Sequence, residues 1–447
     1  MIIEGAHVVT VSGEEFADGH VVVDGDRITA VGAGPAPRST HQHRVIDGRG
    51  CLLTPGLVNT HHHLYQWVTR GLAVDATLFE WLTTLYPVWA GIDEHAVHAG
   101  ATGALSRLAL TGCTTSTDHH YVFPRDGGDV LGAEIQAAER VGLRFHPTRG
   151  SMDRGRSAGG LPPDHVVENL DDILTASADA VARWHDPSPG AMVRMALAPC
   201  SPFSVTGDLM RASADLAREL GVRMHTHLAE TADEEEFCRD RFGCSPTEYV
   251  ADLGWTGGDV WFAHTVHLDD AAVKTIGATG TGVAHCPTSN GRLGAGIARV
   301  RDLRDAGAVV GLGVDGAASN EATSMLEEVR HALLFARAVG GPTALGVREA
   351  LDLGTRGGAR VLGRDDEIGA IAPGMLADLA LWRIDGPAHA DVADPVAALV
   401  LGAPPPLEML TVGGRPVVEH DRVLTVDTEA VAATCAAVHR DLLEKAS

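Results

Sequence analysis

CLLTPGLVNTHHHLYQ, residues 51–66, carries a short apolar and extended run straight into three consecutive histidines. Extended apolar runs of this kind are interior strands, and a buried imidazole without a partner is costly. His61 and His63 are two residues apart, so on a strand they project to one side while His62 projects to the other. Two histidines aimed at one point call for further polar groups brought there by other parts of the chain.

The middle of the sequence supplies them in a repeating pattern. Short apolar runs alternate with alanine- and leucine-rich helical stretches such as EIQAAERVG, DLMRASADLARELG and DAAVKTIGATG, the signature of βα units. The candidate strands are GLVNTH (56–61), CTTSTD (113–118), GLRFHP (142–147), VRMALA (193–198), VRMHTH (222–227), VWFAHT (260–265), GVAHC (282–286) and VVGLGVD (309–315). Eight such strands with intervening helices close into a (β/α)8 TIM-like barrel, an α/β fold whose site opens at the strands' C-terminal ends. An open doubly wound sheet is the rival, weakened because neither GxGxxG after the first strand nor GxxxxGK[ST] occurs.

The two ends of the chain have another texture. HVVTV, GHVVVDGDRITAVG and HRVIDGRGCLLTP alternate and turn like short hairpins, and the same texture returns in EIGAIAPGMLADLALWRID and EMLTVGGRPVVEHDRVLTVD. Residues 1–55 and 367–427 are therefore expected to form one small β-sandwich domain, with the barrel over 56–366 and a C-terminal helix over 428–447. ADVADPVAALVLG, 390–402, reads as a connecting segment.

The strand ends carry the chemistry. The first ends in His61 and His63, the fifth in His225, His227 and then Glu230, the sixth in His264 with His267 beyond, the seventh in His285 and Cys286, and the eighth in Asp315. Each unpaired polar group in such a run would cost about 1–3 kcal/mol, so their concurrence around one axis points to a shared ligand. Zinc or another borderline divalent ion takes imidazole nitrogen with carboxylate oxygen. The expected metal set is His61, His63, His227 and Asp315, with His62 left as a packed residue. Only two lysines occur, Lys274 and Lys445, so no lysine on the fourth strand can bridge a second ion, and one ion is expected. Such an ion generates hydroxide from water at neutral pH. Asp315 can accept the water's proton and His264 can polarise the water. Glu230, three residues past His227, suits a proton shuttle, or else a helix N-terminal carboxylate, since TADEEE follows. Gln66 offers donor and acceptor to an amide-like ring edge, or caps the next helix. The aromatics of residues 65–89 pack this segment, with one or two free to stack on a flat heterocycle. DRGR at 153–156, with GG at 159–160, follows the third strand and reads as a mobile loop that either covers the pocket or is simply solvated.

Bulk properties narrow the partners. A formal charge of −24 repels nucleic acid. The N-terminus has no secretory pattern, no apolar run reaches the roughly 18 residues of a membrane span, and seven scattered cysteines form no CxxC pair. A cytoplasmic enzyme acting on a small molecule is expected.

PGLVNTHHH, HTHLAE, His264, GLGVDGAASN and the returning APGMLADLALW together resemble the amidohydrolase superfamily, in its aminohydrolase branch of guanine, cytosine and adenosine-derivative deaminases and triazine hydrolases. The longer patterns THHHLYQ (60–66), LFEWLTTLYPVW (78–89), GCTTSTDHHY (112–121) and AHCPTSNGRLGAGIARV (284–300) are similar to those of the 8-oxoguanine deaminases. The resemblance implies metal ligands at His61, His63, His227 and Asp315, the proton shuttle at Glu230, the strand-six histidine at His264 and ring recognition by Gln66. It implies zinc, with iron(II) tolerated by the same ligands, and a homo-oligomer. Two positions depart from the pattern: His120 stands where an aliphatic residue is expected, and Arg299 replaces a residue near a proline. The implied reaction is hydrolytic deamination of a free oxo-amino purine or related heterocycle, first 8-oxoguanine to urate and ammonia, with isocytosine as a small analogue. An s-triazine or pterin aminohydrolase is the alternative, and a guanine or cytosine deaminase stands further behind. The HxE…PCxxC pattern of deaminases acting on flipped bases is absent, which favours a free base.

Overall fold

The computed structural model describes residues 1–37 and 44–446; positions 38–43 of the expected N-terminal strands and position 447 of the expected helix lie outside the described residues. Eight parallel strands form where the apolar runs lie: β1 (Leu57–Asn59), β2 (Cys113–His120), β3 (Arg144–Ser151), β4 (Ala196–Pro199), β5 (Arg223–Leu228), β6 (Val260–His264), β7 (Gly282–His285) and β8 (Val309–Leu312). They pair in chain order and β8 closes on β1 through Leu312 and Asn59, making the expected barrel. Strands enclosed by helices outside and side chains inside are buried on both faces, as VWFAH of β6 is throughout.

Two strand boundaries differ from the sequence reading in a way that matters. β4 begins at Ala196, with Val193 making only an isolated bridge to Phe145. β8 stops at Leu312, and Asp315–Gly316 instead pair with His62–His63 in a separate two-stranded parallel ribbon above the barrel mouth. Asn59 makes this departure possible. Its Oδ1 accepts the Val314 amide at 2.9 Å and its Nδ2 donates to Ser116 Oγ at 3.0 Å, so the end of β8 is tied to β1 and β2 after its ladder has ended.

Both chain ends build one nine-stranded mixed sheet, as the hairpin texture implies. Cys51–Pro55 joins them: it runs parallel to Ile2–Val9 and antiparallel to Leu379–Arg383, with Leu53 opposite Leu381. Strands far apart in hydrogen-bond order share one core of Ile3, Val21, Ile28, Leu53, Leu381 and Met409, so the sheet curls over itself. The same strand passes into β1 through Gly56, where a Cβ would run into the Thr114 side chain. Arg144 of β3 donates to Asp378 at 2.6 Å, a buried ion pair fixing the barrel to the sheet.

Helices α1 (Leu78–Trp89) and α2 (Glu94–Leu110) follow β1, and the C-terminal helix α3 (Thr428–Ala446) packs on both, burying Cys435, Val438 and Leu442. α1 starts with a capping box of Thr77 and Glu80, and α2 with Asp93 accepting the Ala96 amide. The segment 390–402 contains a short helix, Pro395–Leu401, because Asp394 caps it and Pro395 is preset for a first helical position. No helix among the described residues is long and apolar enough to cross a membrane.

Candidate active site

At the C-terminal mouth of the barrel His61, His63, His227 and Asp315 converge, all of them buried. Asp315 Oδ1 lies 3.2 Å from His61 Nε2 and 3.3 Å from His63 Nε2, and His63 Nε2 lies 3.1 Å from His227 Nε2. The backbone at Asp315 is left-handed, φ +62°, as is that of His264 at +70°, a strained conformation that functional positions concentrate.

The protons of the three imidazoles follow from their outer partners. His63 Nδ1 donates to the His119 carbonyl at 2.8 Å and His227 Nδ1 to the Cys200 carbonyl at 2.7 Å. His225 Nδ1 donates to the Trp261 carbonyl at 2.9 Å, and burial pushes His225 down to about 3, so the ring is neutral and its Nε2 is bare. That bare nitrogen accepts from His61 Nδ1 at 2.8 Å. All three inward nitrogens are therefore lone pairs, facing one another and a carboxylate oxygen. Burial holds His61 and His227 well below the ordinary histidine range, which keeps them unprotonated. Three lone pairs and an anion at these separations repel unless a cation lies among them. Ligand arms of about 2.0–2.1 Å in a tetrahedron put neighbouring donor atoms roughly 3.3 Å apart, so the residues fit a divalent ion. Imidazoles whose outer N–H is held by a carbonyl are also the usual pattern of metal-ligating histidines.

His225 belongs to the outer layer of this site, since its Nε2 is committed to His61. His62 points away, its Nδ1 accepting the His63 amide at 2.8 Å. His285 is buried with its Nδ1 lacking a hydrogen-bond partner among the described residues, and His267 bonds the Ala295 carbonyl at 2.9 Å. Serines complete the carboxylate: Ser289 Oγ and Ser319 Oγ donate to Asp315 Oδ2 at 2.5 and 3.2 Å. Neither serine was singled out by sequence reasoning, although Ser319 lies four residues past Asp315, and Ser289 lies within CPTSN.

Glu230 stands beside the cluster, its carboxylate, His264 and Asp315 offering polar atoms within 4.8 Å of one another. Its Oε2 is 3.6 Å from His264 Nε2, which is in turn 4.0 Å from Asp315 Oδ2. His264 Nδ1 donates to Asn290 Oδ1 at 2.9 Å, so Nε2 is the free side of the ring. Burial and then the Asp315 charge push the Glu230 carboxyl well above its usual range. The alternative role, a carboxylate at the helix start, falls on Glu234, which accepts the Ala229 and Glu230 amides at 3.0 and 3.1 Å. Glu230 is left free to face the cleft.

The cleft lies between the polar cluster and an aromatic wall that includes Trp81, Tyr86 and Phe203, an apolar surface with a few convergent polar groups, as small-molecule sites have. Gln66 lines it with both amide atoms lacking any partner among the described residues. Gly316 is required beside it, because a Cβ there would occupy the space of the Gln66 amide. The 153–156 loop is tied down, Asp153 accepting the Thr206 amide at 2.7 Å. Arg299, the second departure from the expected pattern, is held outside by Asp270 and Asp302.

Residues 52–417 match the profile of the Amidohydrolase family. The chain belongs to that family. As an amidohydrolase it is a hydrolase acting on C–N bonds. It is 46% identical to an 8-oxoguanine deaminase of Pseudomonas aeruginosa over 91% of each chain. It is 38% identical to an isoxanthopterin deaminase of an unknown prokaryotic organism, over 99% of this chain and 97% of that one. Among solved structures, an atrazine chlorohydrolase of Arthrobacter aurescens complexed with zinc superposes with a TM-score of 0.93 at 33% identity, covering 98% of this amidohydrolase and 99% of the other.

Proposed function

We propose that this amidohydrolase is a metal-dependent deaminase of a free oxo-amino heterocycle, with 8-oxoguanine to urate and ammonia as its preferred reaction and isocytosine as a small analogue. The observation that carries this reading is the Glu230 carboxyl, its acid form favoured by burial, beside the three converging imidazoles and the Asp315 carboxylate in one aromatic-walled cleft. The 46% identity to an 8-oxoguanine deaminase supports the choice of ring.

In this reading His61, His63, His227 and Asp315 hold one divalent ion, zinc by preference, with iron(II) compatible with the same donors. Bound there, it supplies the Lewis acidity that brings the pKa of water from about 15.7 toward about 7. His264 Nε2 accepts a hydrogen bond from the attacking water, and Asp315 Oδ2 receives its proton. Water adds to the amino-bearing ring carbon while Glu230 delivers its proton to the adjacent ring nitrogen. The proton taken by Asp315 then passes to the amino group, the C–N bond breaks, and ammonia leaves as the added hydroxyl becomes the ring carbonyl and its proton returns to Glu230. Gln66 presents its N–H and C=O to the ring's amide edge, replacing the pairing that water would give. Residues 1–55 and 367–427 act as one supporting domain around the 56–366 barrel, with 428–447 as an appended helix.

A pterin or s-triazine would meet the same polar groups and differ only in its fit to the aromatic wall. Ammonia release from 8-oxoguanine, isocytosine, guanine, isoxanthopterin and a hydroxylated s-triazine, on protein of measured metal content, separates these readings. The expected result is the highest kcat/KM on 8-oxoguanine with one ion per chain. A tenfold preference for the pterin or triazine would overturn the substrate, and ammonia from none of the five would overturn the reaction.

A further inference from the structure

Behind the proposed metal site lies a second buried cluster, Asp118, His120 and Glu134, whose ligand-type atoms all lie within 4.8 Å of one another. It contains His120, the histidine that stands where the resemblance expects an aliphatic residue. All three side chains are fully buried. Asp118 Oδ2, both Glu134 oxygens and His120 Nδ1 have no hydrogen-bond partner among the described residues. Two carboxylates and an imidazole in this state would leave two unbalanced negative charges in the interior, at several kcal/mol each.

The outer bonds dictate a solution. His120 Nε2 lies 2.9 Å from the Val122 carbonyl and must donate to it, so Nδ1 is an acceptor. Glu134 Oε2 is 3.3 Å from that Nδ1, and a neutral carboxylic acid there donates to it. At the other end the Leu64 amide donates to Asp118 Oδ1 at 2.5 Å, and the ligand-type atoms of Asp118 and Glu134 lie within 4.8 Å of each other. Every group is satisfied if the protons run one way: Leu64 N–H to Asp118, Asp118 O–H to Glu134, Glu134 O–H to His120, and His120 N–H to Val122. Burial pushes Glu134 up to about 8 and His120 down to about 4, the directions this arrangement needs.

We propose that Asp118 and Glu134 are positioning residues, held as neutral acids in a one-way hydrogen-bond chain with His120, that fix His63 in the metal site. The chain grips His63 from two sides. Asp118 holds the amide of the next residue, Leu64, and the carbonyl that orients the His63 ring belongs to His119, between Asp118 and His120. None of the three touches the cleft. The proposal rests on His63 being a metal ligand, and its test is read on metal affinity as well as turnover.

Amides replace neutral acids without loss of a donor or an acceptor. The Asp118→Asn, Glu134→Gln and doubly substituted proteins therefore keep their zinc dissociation constant, measured by chelator competition, within about threefold of the parent. Asp118→Ala and Glu134→Ala break the chain and weaken zinc binding about 10–100-fold, as loss of outer partners does, and turnover at saturating zinc recovers. Three results would overturn the proposal. One is amide variants as damaged as the alanine ones, which would mean the carboxylates are charged. Another is a second tightly bound ion per chain that Glu134→Gln releases. The last is alanine variants with unchanged zinc affinity and only a lower Tm. If an alanine protein does not fold, the double amide variant alone decides. Failure of the deaminase reading would show instead as no ammonia from the parent enzyme with zinc bound.

Discussion

Burial and the Asp315 charge both favour the acid form of Glu230. A rate that depends on donation by such an acid is full below its raised pKa and is lost as pH climbs through it. Glu230→Gln is expected to lower kcat by about 10²–10⁴-fold and to abolish that alkaline limb while leaving bound metal unchanged, because Glu230 is not among the converging ligands. Ammonia release across pH, with metal content measured on the same samples, checks this. At Gln66 the control is a neighbouring glycine. The Cβ of Gly316→Ala would displace the Gln66 amide from the ring edge, and misplacement on that scale costs up to about 100-fold in kcat/KM. Isocytosine and 8-oxoguanine, which share an amide edge, should both be affected. An unchanged kcat/KM on either would remove Gln66 from ring recognition.

At the level of strands, the residues that point into the site were legible because period-2 alternation and a polar strand end are local signals. His61, His63, His227, His264 and Asp315 each sit on or just past a strand of the barrel mouth. Partnerships were not legible, since they depend on which strand ends become neighbours. Nothing in HTHLAE says that His225 will spend its Nε2 on His61, or that Glu234 rather than Glu230 will hold the Ala229 amide. Nor does GLGVDG announce that β8 stops at Leu312 and hands Asp315 to a ribbon with His62. Asn59 is the hinge of that hand-off, bonded to both Val314 and Ser116. Asn59→Ala leaves the Val314 amide buried without a partner, at about 1–3 kcal/mol by the usual penalty, while Ser116 Oγ keeps its bond to the Thr117 carbonyl, so a denaturant midpoint below the parent's is expected. Asp315 should move with Val314, giving weaker zinc binding too. Loss of stability with zinc affinity intact would show that the ribbon holds itself.

The whole molecule joins two architectures at one strand. Cys51–Pro55 lies within the curled sheet and one glycine later becomes β1, which leads into the converging histidines His61 and His63. Ordering of the sheet and ordering of the site are therefore consecutive stretches of a single extended segment, with the Arg144–Asp378 pair as a second tie. The curl of the sheet was legible as texture at the two ends, but its pairing order was not, because hairpin signals are local and the Leu53–Leu381 register spans most of the chain. Removing the ion leaves three imidazole lone pairs and a carboxylate facing one another at the barrel mouth. An ion bound only by the folded chain contributes about 2.7 kcal/mol at a free concentration one hundred times its dissociation constant. Chelated protein is thus expected to melt lower and to release no ammonia. One equivalent of zinc should restore both properties together, because the same four side chains serve both. Restored melting without restored activity would place the stabilising ion elsewhere, and full activity after exhaustive chelation would end the metal reading altogether.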